Sequence, residues 1–196
     1  MKITLEKYNF NWVSDFEKVN LELEKLLGFL NPRIEHIGST SIEGLSAKPI
    51  IDIMIGLDNE NTLDNTIKPL ISEGYVYYEK YNKDMPYRRF FVKHKSIYHN
   101  LEIPNIIKES DSIQITTEEH SNRLAHIHIL IYNSEHWIRH IAFRDYLRTH
   151  IEVREEYQKL KEQLCCKEWI DGNDYNKAKD AFIKTEQANA IRWYQI

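Results

Sequence analysis

A short, almost wholly apolar run constrains the fold more than any other feature of this chain. Residues 49–55 read Pro-Ile-Ile-Asp-Ile-Met-Ile and are followed by Gly56. A run of this length between Pro and Gly is typical of a β-strand that is buried on both faces. Asp52 interrupts it. Burial of a carboxylate there lowers the free energy of unfolding by several kcal/mol unless the group is paired, hydrogen-bonded or bound to a cation. The run therefore predicts a central strand with one carboxylate of special importance.

Other segments supply the elements that would cover this strand. Apolar residues recur every three or four positions from Ser14 to Leu30, which predicts an amphipathic helix, and Ser14 and Glu17 have capping-box spacing. Ser134 and Asp174 are predicted N-caps of later helices. Helices are predicted at 63–71, 134–150, 153–164 and from 175, and strands at 33–37, 75–78, 88–92, 97–103, 112–116 and 124–131. The pattern predicts an α+β or mixed α/β fold.

Composition narrows the function classes. The 196 residues carry a formal net charge of −4, which argues against a general nucleic-acid or anionic-membrane binder. No apolar run approaches the roughly 18 residues of a membrane span, and the N-terminus lacks the apolar stretch of a signal peptide. Cys165 and Cys166 are adjacent, which suits neither a disulfide nor a zinc site. We expect one cytoplasmic domain with a small-molecule partner, and the oligomeric state stays open.

A cluster of small hydroxyl residues follows the predicted strand 33–37. Glycine lets the backbone approach a ligand closely, and hydroxyl and N–H groups in such a turn bind phosphate oxygens. Lys48 adds a cation nearby. A plain turn with hydroxyl caps explains the same residues, and the spacing is not that of a Walker loop. The cluster consists of Gly38, Ser39, Thr40 and Ser41.

Together these motifs resemble the signature of the GrpB family, a branch of the nucleotidyltransferase superfamily. The strongest match runs from Glu35-His36-Ile37-Gly38-Ser39-Thr40-Ser41 through Gly44-Leu45 to Ala47-Lys48-Pro49-Ile50-Ile51-Asp52-Ile53. Further matches are Trp12 and Phe16, Gly74-Tyr75, Arg88-Arg89-Phe90-Phe91, His126-Ile127-His128, Phe143-Arg144-Asp145-Tyr146-Leu147-Arg148 and Tyr175…Lys179…Phe182-Ile183. The resemblance covers nearly the whole chain.

The resemblance implies a nucleotidyltransferase-like α+β fold. Its mixed β-sheet core, in residues 30–131, would be flanked by helices, with C-terminal helices in residues 134–196 packed on it. In active members of the superfamily a Gly-Ser motif binds a nucleoside triphosphate, and an Asp-x-Asp or Asp-x-Glu pair with a third carboxylate holds two Mg²⁺ ions. The implied function is metal-dependent nucleotidyl transfer to an acceptor, with Asp52 and Lys48 as catalytic residues and a nucleotide or other phosphorylated small molecule as ligand.

This sequence departs from the superfamily pattern where the second carboxylate is expected. Met54 stands two residues after Asp52 and cannot bind Mg²⁺. His126 and His128 share one face of a predicted strand and would replace the third carboxylate, and imidazole favours Mn²⁺ or Zn²⁺ over Mg²⁺. Four interpretations stay open: an active transferase, a non-catalytic phosphate-binding module, a hydrolase with one metal on Asp52, His126 and His128, or two histidines with ordinary hydrogen bonds.

Several basic residues complete the candidate site. Arg88 and Arg89 are neighbours on a predicted strand, so that one faces the cleft and the other faces away. Arg144 either joins an ion-pair network with Asp145 or lines the cleft. Glu102 is a weaker carboxylate candidate, in a region, 95–119, that is longer than is usual in the family. The predicted phosphate-binding residues are Gly38, Ser39, Thr40, Ser41, Arg88, Arg89, Arg144 and Lys179.

Overall fold

The computed structural model describes residues 2–95, 104–111, 120–170 and 172–195, and it is built around a five-stranded mixed sheet. The strands are β1 (Arg33–Ile37), β2 (Ile51–Leu57), β3 (Val76–Tyr77), β4 (Arg88–His94) and β5 (Arg123–Ile131). Their order is β1-β2-β5-β4-β3, with β2 and β5 parallel and the other neighbours antiparallel. The strands predicted at 97–103 and 112–116, and Glu102, lie outside the described residues.

Helices flank the sheet, as the α+β prediction requires. They are α1 (Asn11–Leu27), α2 (Ile67–Ser72), α3 (Glu135–Thr149), α4 (Ile151–Cys165) and α5 (Gly172–Tyr194). Short 3₁₀ turns occupy Gly28–Leu30, Ser39–Ser41, Glu60–Thr66 and Glu79–Tyr81. Among the described residues no helix has the length and apolar character that crossing a bilayer requires.

The two faces of β2 are both buried, as its apolar run predicts. Ile53 and Ile55 point to the face covered by α1 and α2. Met54 points to the opposite face, where it packs with Trp137 and Ile141 of α3. Asp52 shares this second face with Met54 because side chains two positions apart point the same way. The polar site therefore opens at the beginning of β2, beyond the apolar contacts under α3.

The predicted start of the first helix is wrong. The helix begins at Asn11, so that Ser14 lies inside it and the Ser14–Glu17 capping box does not form. Instead, the Asn9 side chain accepts a hydrogen bond from the Asn11 N–H group at 3.0 Å. The earlier start lets Trp12 point into the core, where it is 3% exposed.

The caps of the later helices give one confirmation and one correction. The Ser134 hydroxyl accepts a hydrogen bond from the Trp137 N–H group, so the predicted cap of α3 is confirmed. Helix α5 begins at Gly172, so Asp174 lies in its first turn and is not its cap. The Asp174 carboxylate accepts a hydrogen bond from the Ile170 N–H group at 3.1 Å and thereby closes the preceding turn.

Candidate functional site

A cavity of about 150 Å³ lies beside β2 and β5, between the Ser39–Ser41 turn and helices α4 and α5. Its wall includes six residues that the sequence analysis selected: Ser39, Thr40, Lys48, Asp52, His126 and Lys179. Three further polar residues were not selected for the site: Lys161, Tyr175 and Asn176. We call this cavity the lysine pocket, because Lys48, Lys161 and Lys179 all line it.

Gly38 positions Asp52 at the end of β1. Its φ angle is +72°, in the region that favours glycine. A Cβ atom at this position would lie 2.3 Å from Oδ2 of Asp52, well inside van der Waals contact. At the end of β1, the Gly38 backbone therefore lies directly against the Asp52 carboxylate of the neighbouring strand β2. This glycine serves the placement of Asp52, and its contact with phosphate stays a prediction.

The hydroxyls of the following turn have separate roles. Ser41 Oγ donates to the Gly38 carbonyl at 2.7 Å and so stabilises the turn itself. Thr40 Oγ1 lies 3.0 Å from Nε2 of His36. Ser39 Oγ accepts a hydrogen bond from the Lys161 ammonium at 3.3 Å. Ser39 and Thr40 line the lysine pocket, whereas Ser41 does not.

Three ammonium groups converge on the lysine pocket. Lys161 is only 2% exposed, and it also donates to the Ser46 carbonyl. Burial and the nearby charge of Lys179 lower the pKa of Lys161 to about 7. Lys179 and Lys48 lie over the Tyr175 ring, at 4.3 and 5.0 Å from its centroid. Burial and the Lys48 charge lower the pKa of Lys179 to about 8. The pocket thus concentrates the positive charges of three lysines, which a bound anion would neutralise.

Asp52 is the centre of a second polar arrangement, in which two arginines hold two histidines. His126 Nδ1 lies 3.2 Å from Oδ1 of Asp52, and His128 Nε2 lies 4.0 Å from the same oxygen. On the other side of each ring, Arg123 Nη1 is 3.3 Å from His126 Nε2 and Arg88 Nη1 is 3.1 Å from His128 Nδ1. An arginine only donates, so each ring accepts from its arginine and presents an N–H group to Asp52.

The charges agree with this assignment of protons. Burial lowers the pKa of His126, and burial, helped by Arg88, lowers that of His128 to about 4, so both rings are neutral at pH 7. Burial alone would raise the pKa of Asp52. Hydrogen bonding from the two histidines and their electrostatic attraction together outweigh burial and hold the pKa of that carboxyl well below its usual range. Asp52 is therefore an anion between two neutral donors.

The residues present do not fit the two-Mg²⁺ centre of the superfamily. The position of the second carboxylate is taken by Met54, which is fully buried. A metal shared with Asp52 would bind Nδ1 of His126 and Nε2 of His128. Each neutral ring would then carry its proton on the nitrogen that now accepts a hydrogen bond from Arg123 or Arg88. Over the described ranges, no group of three or more His, Cys, Asp or Glu side chains is arranged to hold a metal ion. The metal set Asp52, His126 and His128 stays a prediction, and it requires both arginines to move away.

The remaining predicted arginines lie outside the lysine pocket. Arg88 shares the face of Asp52 through its contact with His128, but it does not line the pocket. Arg89 is directed differently and its Nε donates to Asp64 at 2.5 Å. Arg144 bonds Glu35 at 2.6 Å and Asp145 at 2.8 Å. Its guanidinium also donates to the His36 carbonyl at 3.0 Å. Arg144 therefore belongs to an ion-pair network that fixes α3 to β1, the first of its two predicted roles.

The network of Arg144 gives a stability prediction. Arg144→Met should lower the free energy of unfolding by about 2 kcal/mol, because the His36 carbonyl and two carboxylates lose a buried donor. Urea denaturation measures this loss. Arg192→Met, at an exposed site on α5, is the matched control and should change stability little. A loss of stability in Arg144→Met no greater than that in Arg192→Met would show that this network contributes little to the fold.

Lys161 is the most deeply buried charged residue among the three polar pocket residues that the sequence analysis did not select. It lies four residues after Tyr157 and three before Leu164, which places it on the apolar face of α4. A lysine at a core position of an amphipathic helix is a detectable signal, because burying an ammonium group requires partners. Its two partners are Ser39 and Ser46, more than 110 residues earlier in the chain.

Comparisons with known proteins agree with the fold and the motifs. Residues 2–188 match the family described as GrpB protein. The chain is 30% identical over 192 residues to UPF0157 protein YqkA of Bacillus subtilis, covering 98% of this chain and 48% of YqkA, so it spans about half of that relative. It is 29% identical over 182 residues to the glutamate-rich protein GrpB of Alkalihalophilus pseudofirmus, covering 93% and 92% of the two chains.

A solved structure gives the same result. The crystal structure of conserved protein GrpB from Enterococcus faecalis superimposes with a TM-score of 0.75 at 29% identity, covering 98% of this chain and all of that one. The sheet and its helices are therefore shared over nearly the full length of both chains. On the match of residues 2–188, this chain belongs to the GrpB family.

Proposed function

We propose that this protein binds the phosphate groups of a nucleotide or of another phosphorylated small molecule in the lysine pocket. The observation that carries the proposal is the convergence of Lys48, Lys161 and Lys179 on one cavity that contains a single carboxylate, Asp52. Lysine ammonium groups bind phosphate as point charges, and several around one cavity favour a polyanionic ligand. The Ser39 hydroxyl supplies a further hydrogen-bonding group.

The size of the cavity limits what it encloses. Its volume of about 150 Å³ is below the roughly 300–1,000 Å³ of pockets that surround a whole small ligand. We therefore expect the lysine pocket to hold the charged end of the ligand, with the rest of the molecule outside it.

The lysine pKa values predict how binding depends on pH. The pocket binds anions in its protonated form, and the pKa values of Lys161 and Lys179 are lowered to about 7 and about 8. Sulfate affinity should therefore be greatest below pH 7 and should fall as the pH rises through 7 to 8. Sulfate is the suitable probe because its own charge is constant over this range. Calorimetry in buffers of different ionisation enthalpy should also show proton uptake near pH 7.5; an affinity that is flat from pH 6 to 9 would contradict the proposal.

Nucleotidyl transfer is the second candidate function, and Asp52 favours it. An ionised carboxylate on the wall of a phosphate pocket repels the ligand, so its presence suggests a role in chemistry, with Lys48 as its predicted partner. A divalent metal would supply charge stabilisation for such a transfer when bound. In this proposal Asp52 marks the edge of the pocket at which the acceptor would approach the bound phosphate groups.

The Asp52→Asn variant distinguishes a protein that only binds phosphate groups from a nucleotidyltransferase. If the protein only binds phosphate groups, removal of the negative charge should tighten sulfate binding by about threefold, and neither protein should consume nucleoside triphosphates. If the protein is a transferase, the original chain should consume a triphosphate with Mg²⁺, Mn²⁺ or Zn²⁺, and Asp52→Asn should be inactive while it still binds sulfate. Weaker sulfate binding by a folded Asp52→Asn protein would contradict both assignments of Asp52.

A further inference from the structure

Arg88 of β4 and Arg139 of α3 both lie near His140, where β4 meets α3. The Nε atoms of Arg88 and Arg139 are both buried and have no hydrogen-bond partner. In the described part of the chain neither guanidinium forms an ion pair with a carboxylate. Other arginines in this fold are paired: Arg89 with Asp64, and Arg144 with Glu35 and Asp145. A buried N–H donor without an acceptor is costly, which indicates that an acceptor from a ligand completes this site.

Histidines surround the two arginines and add donors without adding negative charge. His136, Arg139 and His140 lie within about one turn of α3 and so share one face. The His136 ring stacks on Tyr87 at 3.6 Å, which holds this face of α3 against the start of β4. The ring of His140 lies 6.5 Å from that of His128. Burial and, after it, repulsion from His128, Arg139 and Arg88 lower the pKa of His140 to about 3, against the opposing attraction of Asp52.

Asp52 does not neutralise this cluster. It approaches His128 from the Nε2 side, whereas Arg88 contacts the Nδ1 side of the same ring. Arg88 therefore lies across the ring from the carboxylate. The cluster is also separate from the lysine pocket, whose lining includes neither Arg88 nor Arg139.

We propose that the junction of β4 and α3 is a second anion-binding site, in which Arg88 and Arg139 bind an oxyanion, the phosphate or carboxylate group of a small molecule. A guanidinium presents two parallel N–H donors, which matches the paired oxygens of both groups. The His140 ring, at the side of His128, would contribute a neutral donor. This proposal rests on the arginine cluster alone and does not require the lysine pocket to bind phosphate.

Arginine side-chain NMR tests the second site directly. The ¹H–¹⁵N resonances of the Arg88 and Arg139 Nε–H groups are followed while inorganic phosphate, or acetate in a separate series, replaces chloride at constant ionic strength. We expect saturable shifts of both resonances. Arg139→Gln should weaken binding at the Arg88 resonance about tenfold, because one charged hydrogen-bonding partner is lost. Arg139 has no ion pair in the described part of the chain, so its replacement should leave the fold intact.

Two control variants separate this site from the lysine pocket. Lys179→Gln should leave the arginine shifts unchanged, and so should Arg192→Gln on the exposed side of α5. Saturation by phosphate alone would assign a phosphate site, and saturation by acetate alone would assign a carboxylate site. Absence of saturable shifts with both anions would overturn the proposal. Equal weakening in Arg139→Gln and Arg192→Gln would overturn it too, because the effect would then be one of net charge.

Discussion

Replacement of Gly38 by Ala should destabilise the protein by about 3 kcal/mol, the largest stability effect that we expect from a single methyl group in this fold. Two costs add. The backbone at Gly38 has φ +72°, which strains any residue with a side chain, and the new methyl group would lie 2.3 Å from Oδ2 of Asp52. Asp52 would have to leave its position beside His126, so the polar arrangement of the site would be lost together with the stability.

Two other glycines separate the cost of backbone strain from the cost of the contact with Asp52. Gly44 also has a positive φ, of +79°, but a Cβ there meets nothing within 4 Å, so Gly44→Ala should lose about 1 kcal/mol from strain alone. Gly28 has an ordinary helical conformation and open space around it, so Gly28→Ala should be neutral or slightly stabilising. Urea denaturation of the three variants should rank Gly38→Ala as least stable. A loss at Gly38 no greater than that at Gly44 would show that the contact with Asp52 is unimportant.

The double variant Lys48→Gln/Lys179→Gln should weaken pyrophosphate binding by about 100-fold. Each ammonium group contributes a charged contact worth about 1.5–3 kcal/mol, so each single variant should lose about tenfold. These two lysines are the appropriate targets because Lys161 is fully buried and bonded to Ser39 and Ser46, so its loss would also disturb the fold.

Lys177 provides the matched control for the lysine variants. It is exposed on α5, two residues before Lys179, and it does not line the pocket. Isothermal calorimetry on Lys177→Gln should give the affinity of the original chain. If Lys177→Gln loses as much affinity as Lys179→Gln, the binding is a general response to net charge.

The strongest local patterns could be predicted from the sequence because they depend on neighbouring residues. The apolar run around Asp52 specifies a strand buried on both faces, and the Ser134 cap specifies the start of α3. The position of Lys48 near the hydroxyl cluster led to that residue, and the resemblance led to Lys179. Partners distant in the chain could not be predicted in this way. The capping box at Ser14 failed because the burial of Trp12 determines where α1 begins.

The contacts between the histidines and the arginines are a second example of partners, distant in the chain, that the sequence could not predict. His126 and His128 on one strand face indicate a metal site as readily as a hydrogen-bonding pair. Their choice of partner depends on Arg88 and Arg123, and the register of β4 against β5 brings Arg88 to His128. Residue types alone therefore left the metal site and the hydrogen-bonded pair open, whereas the contacts favour an ionised Asp52 held by two neutral imidazoles.

The most direct test of the lysine pocket is a calorimetric titration of metal-stripped protein with pyrophosphate in buffer freed of divalent cations. We predict saturable pyrophosphate binding at one site. The same titration with sulfate, whose charge is constant near neutral pH, should show proton uptake near pH 7.5, because Lys161 and Lys179 regain protons when the anion binds. Binding that appears only after a divalent metal is added would contradict this account, because the lysines would then not suffice to hold the phosphate groups. Absence of binding under both conditions would contradict it as well.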